Sequence, residues 1–338
     1  MKRVAIQIIT YKSSEFLAPL LKSIKEQSFN DYEVLMYENS ADTEEAKRVK
    51  DLIDASGLQV AFTVGEKNIG FTAHNFMFAQ SDAPLVFVLN DDTLLDPLCL
   101  ERMVAMLESD PKVAAVTPLI FRVPRGTSER PAISDALTVD TAGHEYRLLS
   151  DIRDLGSGKS WGEVKEDLAK SGQVFGVSGT AALYRRKSVL AVSPDATLFD
   201  PTFFMYKEDV DLDLRLRRGG WRAWRASSAI VFHGRGVAGT PSFSISRLQQ
   251  ERLRSPLIRK WTYRNTHHLY TYHWSLKLGF RDVVFGFLFE IGRTLGVFVA
   301  SPSVWFGAAS MIIRDFPVAW RRRQKMEQIG LKHVRFLA

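Results

Sequence analysis

Residues 84–93 read Pro84-Leu85-Val86-Phe87-Val88-Leu89-Asn90-Asp91-Asp92-Thr93. The unbroken apolar run Leu85–Leu89 has no polar face, the pattern of a strand covered on both sides, as in a parallel sheet sandwiched by helices. It ends abruptly on an amide and two carboxylates. In open α/β sheets ligands bind beyond the carboxyl ends of the strands, so these polar residues fall where chemistry is expected. Adjacent carboxylates there favour a divalent cation, although a turn or helix cap accounts for such a pair equally well.

The same alternation extends outward from this strand and predicts an α/β domain with a mainly parallel sheet. Val4–Ile9 reads as a buried strand. Ser13 or Ser14 caps a helix to about Gln27, with Phe16, Leu17, Leu20, Leu21 and Ile24 on one face. Strands follow at Glu33–Tyr37 and Leu58–Val64, with a helix over Thr43–Ala55 between them and another after Gly70. Pro97–Glu108 reads as helix and Val113–Thr117 as strand. Arg122–Gly172 is polar and Gly/Ser-rich and reads as a long functional loop region. Order resumes at Phe175–Tyr184. A short helix over Asp209–Arg217 precedes strands at Trp221–Ala226 and Ala229–Phe232, the last ending on His233.

The chain has 338 residues, 46% hydrophobic and 25% charged, enough to bury a core without covalent staples. A lone cysteine, Cys99, rules out an intramolecular disulfide and a thiolate-based zinc site and favours a reducing compartment. The basic start is followed by an apolar run too short for a secretory signal.

Charge is unevenly placed. Residues 235–338 hold 17 Lys and Arg against 5 Asp and Glu, a net of +12, while the preceding residues carry −5. The basic tail also contains Trp261, Trp274, Trp305 and Trp320 and apolar runs such as Val283–Phe289. Continuous apolar faces suit a bilayer interface rather than nucleic acid, and Trp prefers the headgroup level. Thr294–Ile313 lacks charge and approaches the length of a span, but Pro302 interrupts it. The expectation is two amphipathic segments joined near Ser301–Ser303, with Trp305 and Trp320 at the interface and Arg321, Arg322, Arg323 and Lys325 on anionic headgroups. An ordinary helical domain packed on the body is the alternative.

Two further clusters carry chemistry. Phe203-Phe204-Met205-Tyr206-Lys207 delivers Glu208-Asp209, with Asp211 and Asp213 close behind. Acids at a helix start offset its dipole, and Asp211 can pair with Arg215 at i,i+4. That leaves the aromatic approach to Glu208-Asp209 unexplained, and a carboxylate beside a sugar-sized pocket can act as general base. His233 closes a strand; it is a structural residue or, near carboxylates, a ligand for Mn2+.

The ordered strings Thr10-Tyr11-Lys12, Glu38-Asn39-Ser40-Ala41-Asp42, Asn68-Ile69-Gly70-Phe71-Thr72, Leu89-Asn90-Asp91-Asp92-Thr93, Ser178-Gly179-Thr180-Ala181, Phe203 through Trp221, and His233 resemble family 2 glycosyltransferases of GT-A fold. They look most like bacterial rhamnosyltransferases acting on polyprenyl-linked glycans. The match covers about residues 2–240; Val139-Asp140-Thr141-Ala142-Gly143 and Tyr263-Arg264-Asn265 are similar too.

The resemblance implies a GT-A domain over 1–240, a Rossmann-like sheet with a nucleotide-sugar half at 1–121 and an acceptor and catalytic half at 122–240, followed by a helical, basic membrane-association region at 241–338. It implies Thr10 and Tyr11 beside the base, Glu38 at the base or ribose, Asn68 and Gly70 in the donor turn, and Asp91 and Asp92 at the diphosphate. Asp92, with Asn90 and His233, would hold Mg2+ or Mn2+. Asp209 would be the general base, supported by Glu208. Ser178, Gly179 and Thr180 would border the sugar, and Trp161 in the long loop would face the acceptor.

The implied reaction is inverting transfer of a sugar to a polyprenyl-diphosphate-linked glycan at the cytoplasmic face of the bacterial inner membrane, for cell-surface polysaccharide synthesis. The donor would be dTDP-L-rhamnose, or next a UDP-hexose; the oligomeric state, including a homo-oligomer, stays open. Removing residues beyond about Arg254 is expected to harm a lipid-linked acceptor more than a soluble mimic.

Three rival readings remain. A processive polysaccharide synthase usually carries a QxxRW string, and Gln249-Gln250-Glu251-Arg252-Leu253 lacks the Trp. A nucleotidyltransferase lacks its Gly-rich basic loop here. A non-catalytic nucleotide-sugar-binding, membrane-recruiting module would have no need of both Asp92 and Glu208-Asp209.

Overall fold

The computed structural model describes residues 1–149, 151–235 and 255–331; the Gln249–Leu253 string lies outside the described residues. The first half follows the expected alternation: β1 (Val4–Thr10), α1 (Ser14–Lys25), β2 (Tyr32–Glu38), α2 (Thr43–Ser56), β3 (Val60–Val64), a 3-10 turn at Gly70–Thr72, α3 (Ala73–Gln80) and β4 (Leu85–Asn90). These strands pair in parallel in the order β4-β1-β2-β3. Alternate side chains along β1 and β4 go to opposite faces. Val4, Ile6, Ile8, Phe87 and Leu89 pack with Leu17, Leu20 and Leu21 of α1, as the periodicity predicted, while Val86 and Val88 join a second core on the other face. Phe16 is only half-buried, with the Arg125 guanidinium over its ring. Glu45 of α2 caps α1 by accepting from the backbone N–H and hydroxyl of Ser14 (2.8 and 3.0 Å).

The second half is more ordered than its sequence suggested. β5 (Thr93–Leu95), α4 (Cys99–Glu108) and β6 (Val113–Pro124) follow, then β7 (Val139–Thr141), β8 (His144–Leu148), β9 (Asp151–Asp154), α5 (Trp161–Leu168), β10 (Gly172–Val174) and β11 (Ala181–Arg185). Within the polar stretch 122–172, residues 125–137 are a loop as expected, and most of the rest is short strands and one helix. α6 (Arg186–Val192) and α7 (Glu208–Arg218) lead to β12 (Arg222–Arg235).

β6 runs well past Thr117, and the two strands expected at 221–232 are one. Pro118 pairs where β12 breaks register between Ala226 and Ile230, so its missing N–H falls at the irregularity. The full sheet runs β10-β12-β6-β11-β4-β1-β2-β3, with β11 antiparallel to β4 and β6. This is the expected Rossmann-like α/β architecture, with the C-terminal ends of β1, β2, β3 and β4 on one edge.

The tail is helical: α8 (Pro256–His273), a π turn at Arg281–Phe285 continuing into α9 (Gly286–Ala300), and α10 (Pro302–Gln328). The helices break at Ser301, as Pro302 predicted, so the uncharged stretch 294–313 does not form one continuous span. One continuous stretch instead, Arg281–Ala300, is long and apolar enough to cross a membrane by length and composition, and little of it is buried. Phe285, Phe287, Leu288 and Leu295 on it, and Phe306, Ile313 and Phe316 on α10, are at least half exposed.

α8 and α10 meanwhile pack on the body of the protein beside α7. Arg322 is buried and pairs with Asp200 (2.5 Å) and Asp195, which corrects its expected place on headgroups: it is an internal ion-pair partner. Arg323 likewise turns inward, donating to the carbonyls of Thr271 and Trp274, whereas Arg321 and Trp320 remain exposed. Trp305 is half-buried, edge-on to Phe298 and Phe306.

Candidate active site

Asp92 and His233 meet because β5 turns back on β12, pairing Thr93 with His233 and bonding the Gly234 N–H to the Asp92 carbonyl at 2.7 Å. His233 Nε2 lies 3.1 Å from Asp92 Oδ1, and His233 Nδ1 lies 2.7 Å from Asp140 Oδ2. A carboxylate behind the ring fixes its orientation and presents Nε2 to the Asp92 side, the usual support of a metal-ligating histidine. Among the described residues no three His, Cys, Asp or Glu side chains gather to hold an ion by themselves. Two donors fit Mg2+ or Mn2+, which commonly take one or two protein ligands and complete their shell with substrate phosphate and water. Asn90 ends β4 beside this pair, its N–H on the Thr180 carbonyl.

Asp91 accepts from the Ser13 hydroxyl at the β1–α1 turn. Burial, only partly offset by that hydrogen bond, raises it to about 7. Thr10 is fully buried and its hydroxyl has no partner, while Tyr11 next to it is exposed. Glu38 is buried, both oxygens accepting from the Ser40 N–H (3.0 Å), which holds it beneath the turn that follows β2. The Asn68–Gly70 turn is fixed by Asn39, which accepts from Ile69 N–H and donates to the Gly70 carbonyl (2.9 and 3.1 Å).

Asp209 begins α7. Its Oδ2 accepts from the Gly179 N–H (3.0 Å) and its Oδ1 from the Val210 N–H (2.8 Å). Since Thr180 also bonds Asn90, the strand-initiating loop Ser178–Thr180 ties Asp209 to the Asp92 side of the sheet edge. His144 completes the group: Nδ1 is 2.6 Å from Asp213 Oδ2, and Nε2 is 3.8 Å from Asp209 Oδ2 and 3.7 Å from Asp154. Burial pulls its pKa down, but the Asp213 hydrogen bond and the charges of Asp213, Asp209 and Asp154 prevail and lift it to about 9. Room for the Asp213 carboxylate comes from Gly176, where a Cβ would lie 1.8 Å from Oδ2. Burial, and next the charge of Asp209, push the Glu208 carboxyl well above its ordinary value.

Trp161 does not stand free for an acceptor: it opens α5 and packs edge-on against Phe121 in a satellite core. Asp140, His144, Asp213 and Asn265 carry contacts to the site that the sequence reading left without a role. The one signal for the first two was the Val139–Gly143 string, which Asp140 belongs to and His144 directly follows.

A sequence profile described as Glycosyl transferase family 2 matches residues 5–192, more than half of the chain. In three dimensions the chain is similar to GalNAc-T7 with UDP, GalNAc and Mn2+ (TM-score 0.61, 11% identity, 95% of this chain and 58% of that chain covered). It is also similar to the mannosyltransferase PcManGT from Pyrobaculum calidifontis in complex with GDP-Man and Mn2+ (TM-score 0.54, 14% identity, 98% and 87% covered). The chain thus spans 58% of the length of the GalNAc-T7 structure. At these identities the likeness is one of fold, the curled Rossmann-like sheet called GT-A. No curated protein matches the sequence.

Proposed function

Given that this chain belongs to glycosyl transferase family 2 and is therefore a glycosyltransferase, we propose that it moves a sugar, with inversion, from a nucleotide sugar to a hydroxyl of a polyprenyl-diphosphate-linked glycan. The reading extends to dTDP-L-rhamnose as donor and to the cytoplasmic face of the bacterial inner membrane, where the basic tail and the exposed apolar sides of α9 and α10 lie on anionic lipid. The observation that carries it is the link between two carboxylate sites: Asp92 with His233, and Asp209 on Gly179, joined through the Thr180–Asn90 hydrogen bond.

Asp92 and His233 are the residues that would hold a divalent ion. The chemistry such an ion supplies is neutralisation of the departing diphosphate. Asp209 takes the proton of the acceptor hydroxyl onto one of its carboxylate oxygens, each of which retains lone-pair capacity beyond its single N–H bond. The oxygen so freed attacks the anomeric carbon opposite the leaving group. His144 and the Gly179 N–H keep the base turned to this task, and burial disfavours a second negative charge on Glu208 beside it. Ser178, Gly179 and Thr180 border the sugar. Thr10, Tyr11, Glu38, Asn68, Gly70 and Asp91 form the nucleotide side.

The test is a panel of dTDP-, UDP- and GDP-sugars with Mn2+ or Mg2+, read first as thermal stabilisation and then as nucleoside diphosphate release dependent on acceptor and metal. Asp209→Asn is expected to lower turnover by about 10²–10⁴-fold, the worth of a general base, while donor binding stays measurable. Normal turnover by that variant would sink the assignment. Binding without acceptor-dependent release would favour a recruitment module.

A further inference from the structure

The chain enters α7 through residues 201–207, a run of turns whose carbonyls are taken up by other elements. The Thr202 carbonyl accepts from Arg264 Nη1 (2.8 Å) and the Phe204 carbonyl from the Phe71 N–H (2.9 Å). The Met205 and Tyr206 carbonyls both accept from Asn265 Nδ2 (2.8 and 2.7 Å). Asn265 is fully buried on α8, and its Oδ1 accepts from Arg264 Nη1 at 2.8 Å, so both ends of its amide are occupied. A primary amide nitrogen offers two N–H groups in one plane, which suits it to two successive carbonyls.

The carbonyls so gripped belong to a strained turn. Tyr206 and Lys207 stand at φ +66° and +73°, two consecutive L residues in the left-handed region that side chains disfavour. Lys207 is the residue from which α7 starts, one step before Glu208 and two before Asp209. Left to itself such a turn would relax toward ordinary φ and swing the helix start. Strain of this kind persists where the surroundings over-determine it. Here the surroundings are α8, an element far along the chain that none of the proposed chemistry uses.

We propose that Asn265, oriented by Arg264, is a positioning residue for sugar transfer: by holding the Met205 and Tyr206 carbonyls it keeps the left-handed turn closed and so keeps the Asp209 carboxylate on the Gly179 N–H. This rests on the reading of Asp209 as the base. The tail is then a working part of the active site as well as a membrane contact.

The experiment compares wild type, Asn265→Ala and Asn265→Ala with Lys207→Gly, in the full chain, by two readouts. The first is amide hydrogen exchange of residues 203–210. The second is steady-state turnover of whichever nucleotide sugar in the panel wild type uses. Asn265→Ala should speed exchange at 203–210 at least about tenfold with β1 and β4 unchanged, since a local opening is what the clamp prevents. It should lower kcat by about 10–100-fold with donor KM within about threefold, the signature of a misplaced reacting group rather than lost binding. Glycine reaches positive φ without strain, so adding Lys207→Gly should recover about 3–10-fold of kcat.

Unchanged exchange, a loss spread over the whole domain, or no recovery with Lys207→Gly would overturn the clamp. Faster local exchange with unchanged kcat would overturn the positioning role even though the clamp exists, whereas normal turnover by Asp209→Asn, measured alongside, would overturn the reading of Asp209 as base. If Asn265→Ala does not fold, Asn265→Ser, which keeps one shorter donor, takes the same readouts. Failure of both to fold would assign Asn265 a purely structural role.

Discussion

His144 is the side chain around which the start of α7 balances its charge. It faces Asp213 and Asp209 on α7 and Asp154 on β9, with Glu208 nearby pushed up by burial. Its folded pKa of about 9 lies above the ordinary imidazole value of about 6.5. The stability its charge contributes is therefore lost as pH rises through 9, and it also shrinks below about pH 6, where Asp213, raised to about 6 by burial, takes up a proton. His144→Gln should melt furthest below wild type near pH 6 and approach it by pH 9.5 in a calorimetric series. A pH-independent gap would remove charge from the explanation. Asp140 makes a second case. Asp140→Asn leaves Asp92 and His233 in place but loosens the ring's support, so the Mn2+ concentration for half-maximal turnover should rise about 10–100-fold. Such partners were illegible in the sequence: His233 and Asp140 are 93 residues apart, and His144 and Asp213 are 69 apart. Clusters local in sequence, Asn90-Asp91-Asp92 and Glu208-Asp209, could be read directly; carboxylates that act through a distant imidazole could not.

At the scale of elements, strands with unbroken apolar runs announced themselves, and those interrupted by a local device did not. A proline inside a central strand normally forfeits a ladder bond; at Pro118 of β6 the irregularity of β12 opposite it removes that cost. The short strands β7–β10 lack periodicity because each is only three to five residues long, and their pairing depends on contacts outside the segment. Gly70 shows an element contact that a motif can mark without explaining. It stands at φ +63°, and a Cβ there would lie 1.9 Å from the Phe204 carbonyl oxygen. The Asn68–Gly70 turn and the approach to α7 thus touch backbone to backbone. Gly70→Ala combines a strained φ with that clash and should destabilise by more than ~1 kcal/mol in a urea titration. It should also weaken donor binding, since the displaced turn carries Asn68.

For the whole molecule, the division of labour between body and tail differs from what charge alone suggested. Arg322 on Asp200, His273 on Asp211 (2.9 Å) and Arg218 on the Leu331 carbonyl (2.6 Å) tie α8 and the end of α10 into the core beneath α7. Removing residues beyond Arg254 would leave Asp211 and Asp200 buried without these partners, a loss of several kcal/mol. Such a truncation should therefore abolish turnover of soluble and lipid-linked acceptors alike, in place of the selective loss expected from a pure anchor. The exposed apolar residues of α9 are the part left for a bilayer. Replacing Phe287, Leu288 and Leu295 together by Ser should release the protein from anionic vesicles in a flotation assay while sparing turnover of a soluble acceptor. In membrane fractions, high salt and alkaline carbonate should both extract the wild type, whereas a true span would resist them.

The bond between Arg218 and the Leu331 carbonyl has a temporal meaning. During synthesis the ribosome delivers the sheet, both carboxylate sites and α7 long before the last turn of α10. Until residues as far as Leu331 have emerged, the helix bearing Asp209 lacks its final brace. The nascent polypeptide therefore cannot hold this helix in its final setting until the ribosome has released the segment through Leu331.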